Sequence, residues 1–214
     1  MRVRAVVAET PDSRSLHLEV PQGQAAAFAY RPGQFLTLHL PIDGRRVPRC
    51  YSMSSTPGLD EGLRVTVKRV DGGLGSNWIC DHLRAGDVVE VLPPAGVFVP
   101  RALDTPFLLL AGGSGITPVF SILRAALAGG GGPIALFYAN RDERSVIFAP
   151  ELRRLAAEHP QRLTVTHWLD SVQGVPSAAQ LQAWIARHLA PQSALPASPQ
   201  AFVCGPGPFM DAAV

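Results

Sequence analysis

The sequence is poor in residues that make covalent or metal cross-links. Its 214 residues include three cysteines, Cys50, Cys80 and Cys204, far apart and without C-x-x-C spacing. That argues against zinc and against an iron–sulfur cluster held by these residues, and free thiols suit a reducing compartment. The six histidines have no metal-ligand spacing, so no metal is expected. Charge is scarce too: Asp, Glu, Lys and Arg make up 17%, with a net charge of +2. Arg45-Arg46 and Arg153-Arg154 stand alone, so no basic stripe invites nucleic acid. No apolar run approaches the ~20 residues of a membrane span, and "MRVRAVVAETPD" has no signal-peptide h-region. A soluble, cytoplasmic protein with no membrane and no nucleic-acid partner is expected. No Ser-His-Asp order supports hydrolase chemistry.

What is present is apolar, at 47% of residues, enough for a proper core. Residues 1–102 read as short β-strands, "VRAVVAE", "SLHLEV", "QFLTLHL", "RCYSMSS", "LRVTVKRV" and "DVVEVLPP", separated by Pro and Gly. Such a series suggests a small antiparallel β-barrel. One helix interrupts it at "SNWICDHL", with Ser76 as the expected cap. From 103 to 214 the pattern becomes β-α repeated. "PFLLLAGG" is the continuous apolar run of a strand buried on both faces. "TPVFSILRAALAG", "PIALFYAN", "APELRRLAAEH", "RLTVTHWL", "SAAQLQAWIARHL" and "QAFVCGP" follow. This is the signature of a doubly wound parallel sheet, with a polar loop at "APQSALPASPQ".

Four stretches carry candidate chemistry. In "RCYSMSST" a strand would put Arg49, Tyr51 and Met53 on one face and Cys50, Ser52 and Ser54 on the other. A fixed cation beside a flat aromatic suits a ligand with both a phosphate and a planar ring; incidental polar residues on a surface strand are the alternative. "DGGLGSNW" and "LLLAGGSGITPVF" are glycine-rich turns entering helices, where bare amides can meet phosphate, although either can also be a plain turn. Neither is G-x-G-x-x-G. "FVCGPGPF" puts Cys204 at the carboxyl end of a parallel strand, the ligand edge of such sheets, where a buried cysteine can also be no more than a small apolar residue.

In this order and spacing, "RCYSMSS", "VTVKRVDGGLGSNW", "AGGSGITPVFSIL", "YANRDERSVIF" and "FVCGPGPFMDA" resemble the ferredoxin–NADP reductase superfamily. Within it the pattern is most similar to reductase components of Rieske oxygenases, of the 3-ketosteroid 9α-hydroxylase type. The resemblance implies an FAD-binding barrel followed by an NAD(P)-binding domain, with electrons passing from NADH to FAD and on to a terminal oxygenase. Reductases of phenylacetyl-CoA epoxidase or globin type, and a non-catalytic redox-sensing module, are the alternatives. It assigns Arg49 to the flavin diphosphate, Tyr51 to the ring and Ser52 to the reactive nitrogen, with Cys50 on the same strand. Val67 and Lys68 would line the flavin, and Gly75, Ser76 and Asn77 its pyrophosphate. Gly112, Gly113, Ser114, Gly115 and Ile116 would form the nucleotide turn. Thr117 and Cys204, with Gly205 and Pro206, would flank the nicotinamide, while Asn140 and Arg141 would read the adenosine ribose. Ser52, Thr117 and Cys204 are thus the expected catalytic positions.

For the nucleotide, "YANRDERS" speaks both ways: Arg141, Arg144 and Ser145 suit a 2′-phosphate, and Asp142 and Glu143 repel one. The resemblance favours NADH over NADPH. It also implies a C-terminal [2Fe-2S] ferredoxin domain, whose four cysteines are not in these residues. The ending "GPFMDAAV" reads as the first turn of a helix, so the 214 residues are expected to be part of a longer polypeptide.

Overall fold

The computed structural model describes residues 1–190 and 199–213. Most of the expected polar loop lies outside the described residues. The chain divides into two compact units, Met1–Val99 and Pro100–Val214.

The first unit contains β1 (Arg2–Thr10), β2 (Ser13–Glu19), β3 (Phe35–Ile42), β4 (Arg45–Ser52), β5 (Leu63–Lys68), helix α1 (Leu74–His82) and β6 (Glu90–Val91). They form two antiparallel sheets, ordered β1-β2-β5 and β4-β3-β6. Isolated bridges from Met53 to Val65 and from Arg2 to Val88 join β4 to β5 and β1 to the β6 approach. The circuit therefore closes as a barrel, which leaves no long unpaired edge. Alternation along the strands turns Leu16, Leu18, Leu36, Leu38, Leu40, Met53, Val65 and Val67 into its core. Each such burial contributes about 1.5–3 kcal/mol.

Three local expectations are corrected here. The strand expected from Arg49 to Ser55 starts earlier, at Arg45, and ends at Ser52. Ile42 pairs with Arg45 across Asp43-Gly44, both left-handed at φ 51 and 69, the two-residue hairpin that Asp-Gly favours. "DVVEVLPP" keeps only two strand residues, because Pro93 and Pro94 remove ladder donors. Ser76 is not the helix cap: Gly73 holds that place, and Ser76 sits inside the first turn.

The second unit contains β7 (Phe107–Gly112), α2 (Ile116–Gly129), β8 (Ile134–Asn140), α3 (Ala149–Glu158), β9 (Leu163–Leu169), a short α4 (Asp170–Gln173), α5 (Ala178–Leu189), β10 (Gln200–Cys204) and α6 (Gly207–Ala213). A 3-10 turn, Gly113–Gly115, precedes α2, so the helix starts one residue before the expected Thr117. The sheet is parallel, ordered β10-β7-β8-β9. β7 and β8 are buried at every position, as their unbroken apolar runs require. On one face Phe137 packs against Trp168, Trp184 and Phe209. Short α4 went unread in the sequence, since four residues carry no helical period.

Candidate functional site

In the first unit the residues of interest gather where β4 ends beside the start of α1. Tyr51 is half-buried against the core, on the same face as Met53, while Arg49 stays exposed at the rim. Burial pushes the Tyr51 phenol up to about 12, against an opposing pull from the Arg49 guanidinium. Arg49 lies across the first turn of α1: a Cβ on Gly75 would come 2.7 Å from Arg49 Cγ. The first amides of a helix have no acceptors within it, so a guanidinium and a helix N-terminus meet at one place.

The side chains beyond that core pair are spent differently from expectation. The Ser76 hydroxyl accepts from the Val70 N–H at 3.1 Å, and Asn77 Nδ2 donates to the Val70 carbonyl at 3.2 Å. Both brace the loop, which leaves the first-turn amides as its phosphate-facing groups. Cys50 is on the opposite face, its sulfur 3.4 Å from Thr37 Oγ1. Val67 is buried in the core, and Lys68 Nζ is 3.9 Å from an Asp12 carboxylate oxygen. Val67 therefore has only backbone to offer a ligand.

In the second unit the strand order reverses between β7 and β10, the switch point at which open α/β sheets bind ligands. The carboxyl ends there bring together Gly112–Gly115 and Cys204–Pro206. A Cβ on Gly115 would fall 2.1 Å from the Cys204 carbonyl oxygen, so this glycine serves the packing of one strand end on the other. Thr117 is buried and its hydroxyl donates to the Ser114 carbonyl at 3.1 Å. Ile116 is wholly buried, Ser114 exposed. Burial raises the Cys204 thiol, which keeps it protonated at neutral pH.

One strand over, Asn140 ends β8 with 4% exposure, and neither Oδ1 nor Nδ2 has a hydrogen-bond partner. Its amide lies near the Tyr138 phenol without reaching hydrogen-bond geometry. Asn140 pairs with Leu169, and the following Asp170 also has a buried, unpartnered Oδ1. Burial raises the Asp170 carboxyl. Beside them Asp142 and Ser145 are closed in a capping box, the Ser145 N–H donating to Asp142 Oδ1 at 2.9 Å. Ser145 is buried, which takes its hydroxyl out of any phosphate site.

Comparison with known proteins matches residues 1–99 to the oxidoreductase FAD-binding domain and 109–214 to the oxidoreductase NAD-binding domain. The chain belongs to the ferredoxin reductase family. It is 57% identical over 212 residues to the ferredoxin reductase component of 3-ketosteroid-9-alpha-monooxygenase from Rhodococcus rhodochrous, covering 99% of this chain and 58% of that protein. The protein of the same name from Mycolicibacterium smegmatis is 55% identical, covering 100% of this chain and 59% of its own. Among solved structures, full-length CYP116B46 from Tepidiphilus thermophilus is similar at 31% identity and a TM-score of 0.75, over 99% of this chain and 26% of that one. The chain thus spans little more than half the length of the curated relatives.

For a ferredoxin reductase, the residues present fit an FAD. Arg49 lies over Gly75 in the first turn of α1, where a side chain would displace it, and Tyr51 offers a half-exposed ring on the same strand. Two residues at the nucleotide edge went unread in the sequence. Asp170 follows a recognisable strand, so the carboxyl-edge rule was a usable signal. Tyr138 was not: inside "ALFYAN" it looks like any core aromatic. Among the described residues, no helix is long and apolar enough to cross a membrane.

Proposed function

We propose that this chain is the flavin- and nicotinamide-binding part of an NADH-dependent reductase that feeds electrons through an iron–sulfur centre to a terminal oxygenase. The observation that carries it is the Arg49 side chain lying over Gly75 in the first turn of α1, on the strand that also bears Tyr51. Arg49 and the α1 amides hold the FAD diphosphate, and Tyr51 packs on its ring. When bound, FAD supplies the conversion of a two-electron donor into one-electron steps. Ser52, at the end of β4, would supply a hydroxyl to the flavin.

At the other unit, Gly112 to Gly115 cradle the NADH pyrophosphate, with Thr117, Cys204, Gly205 and Pro206 at the nicotinamide. Thr117 acts by fixing the turn through Ser114. Asn140 and Asp170 take the adenosine ribose, whose hydroxyls satisfy their unpartnered atoms. Arg141 stands beside the adenosine. A carboxylate at this place disfavours a 2′-phosphate, which supports NADH. Free thiols and a nicotinamide donor suit the cytoplasm. The relatives' names support a ketosteroid oxygenase as the acceptor system. Purified protein should be yellow and bleach with NADH under anaerobic conditions; a colourless protein that takes up no FAD would overturn the proposal.

A further inference from the structure

We infer that Tyr138 is a positioning residue for the nucleotide site, its phenol pinning the Gly113–Gly115 turn and the loop after Asn140 to a single point. This rests on the proposed nucleotide binding at the carboxyl edge of the sheet. Tyr138 is fully buried in β8, and its hydroxyl donates to the Gly113 carbonyl at 3.2 Å while accepting the Ile147 N–H at 3.2 Å. A phenol has one proton and spare lone pairs, so both bonds are held together. Burial keeps that proton in place far into the alkaline range.

The two partners lie on separate loops, and the phenol joins them. Gly113 is left-handed at φ 52, with nothing within 4 Å of where a Cβ would stand. Its carbonyl also accepts the Ile116 N–H that closes the 3-10 turn. In a trans peptide the C=O and the next N–H point in opposite directions. Holding the Gly113 carbonyl inward therefore turns the amide of exposed Ser114 away from the core, the orientation a phosphate oxygen needs. On the other side Ile147 precedes Phe148, a buried non-glycine residue at φ 61 whose ring stacks on Phe120 of α2 at 4.4 Å. The loop that carries Arg141 and Asp142 is thus returned to the same helix that the turn enters.

The test is Tyr138→Phe in the full chain, which fills the same space and removes both bonds. Leu136→Val, buried in the same strand, serves as a comparison that loosens β8 without touching the hydroxyl. Calorimetric titration with NAD+ should show Kd raised about tenfold in Tyr138→Phe, well short of the ~100-fold cost of a 1 Å misplacement. KM for NADH should rise with it, kcat at saturation should change less, and bound FAD should remain at wild-type content by absorbance. Leu136→Val should lower the melting temperature and leave the NAD+ Kd unchanged. A wild-type Kd in Tyr138→Phe, or an equal rise in both variants, would overturn the positioning role. A wild-type protein that retains FAD but binds no NAD+ would overturn the nucleotide reading, and this inference with it.

Discussion

The side chain of Arg49 fills the space that a side chain on Gly75 would need, with Cγ 2.7 Å and Nε 3.3 Å from the missing Cβ. Because Arg49 is exposed and flexible, Gly75→Ala should displace it without unfolding the barrel. Charge-assisted bonds to phosphate are the strong ones, so FAD affinity should fall about tenfold. Fluorescence titration of apoprotein with FAD measures it, and Arg49→Ala should be at least as weak. Unchanged affinity in both variants would remove Arg49 from the diphosphate.

At the nucleotide edge, Asp170→Asn keeps the volume and removes the negative charge next to Asn140. The ratio of kcat/KM for NADPH to that for NADH should rise about tenfold, equivalent to ~1.4 kcal/mol. A wild-type preference for NADPH that vanishes in Arg141→Ala would instead make Arg141 a phosphate ligand.

Gly115 and Cys204 separate packing from chemistry. A Cβ on Gly115 would overlap the Cys204 backbone, which cannot swing away as a side chain does. Gly115→Ala should cost more than about 3 kcal/mol by urea denaturation, among the larger effects of single substitutions. Cys204→Ala removes one sulfur from a half-buried site and should alter stability little. Its signature should be slowed flavin reduction in stopped flow; a wild-type rate would exclude Cys204 from the reacting centre.

Stability should fall below about pH 6.5 and again above about pH 9. Burial lowers His17, helped by Arg64 and Arg4, and lowers His167, helped by Arg153, from 6.5. Below 6.5 the unfolded chain therefore binds more protons, and stability falls as pH drops. Burial raises Cys80 and Cys204 from 9.0, and Tyr51 from 10.0 to about 12. Above 9 the unfolded chain ionises first, so the folded state binds more protons and stability declines as pH rises. Denaturation midpoints that keep rising above pH 9 would contradict this assignment.

The two architectures were legible in the sequence because each rests on a periodicity. The unbroken run Phe107–Gly112 belongs to a strand covered on both faces, and the alternation in β2 and β3 to one with a single buried face. Glycine turns before α1 and α2 were legible as turns. What each side chain does there was not. Ser76 looked like a cap because caps favour serine, yet the chain enters the helix earlier and spends that hydroxyl on Val70. Ser145 looked available to phosphate until Asp142 closed over it. Gly115 looked like room for a ligand, and its neighbour is the Cys204 backbone, 89 positions along the chain (204 − 115). Tyr138 and Asp170 acquire meaning only from partners, present or missing, on other strands. Local sequence sets period and turn chemistry, since those depend on neighbours along the chain. Which polar atom is already satisfied depends on contacts distant in sequence, and only the tertiary structure decides that.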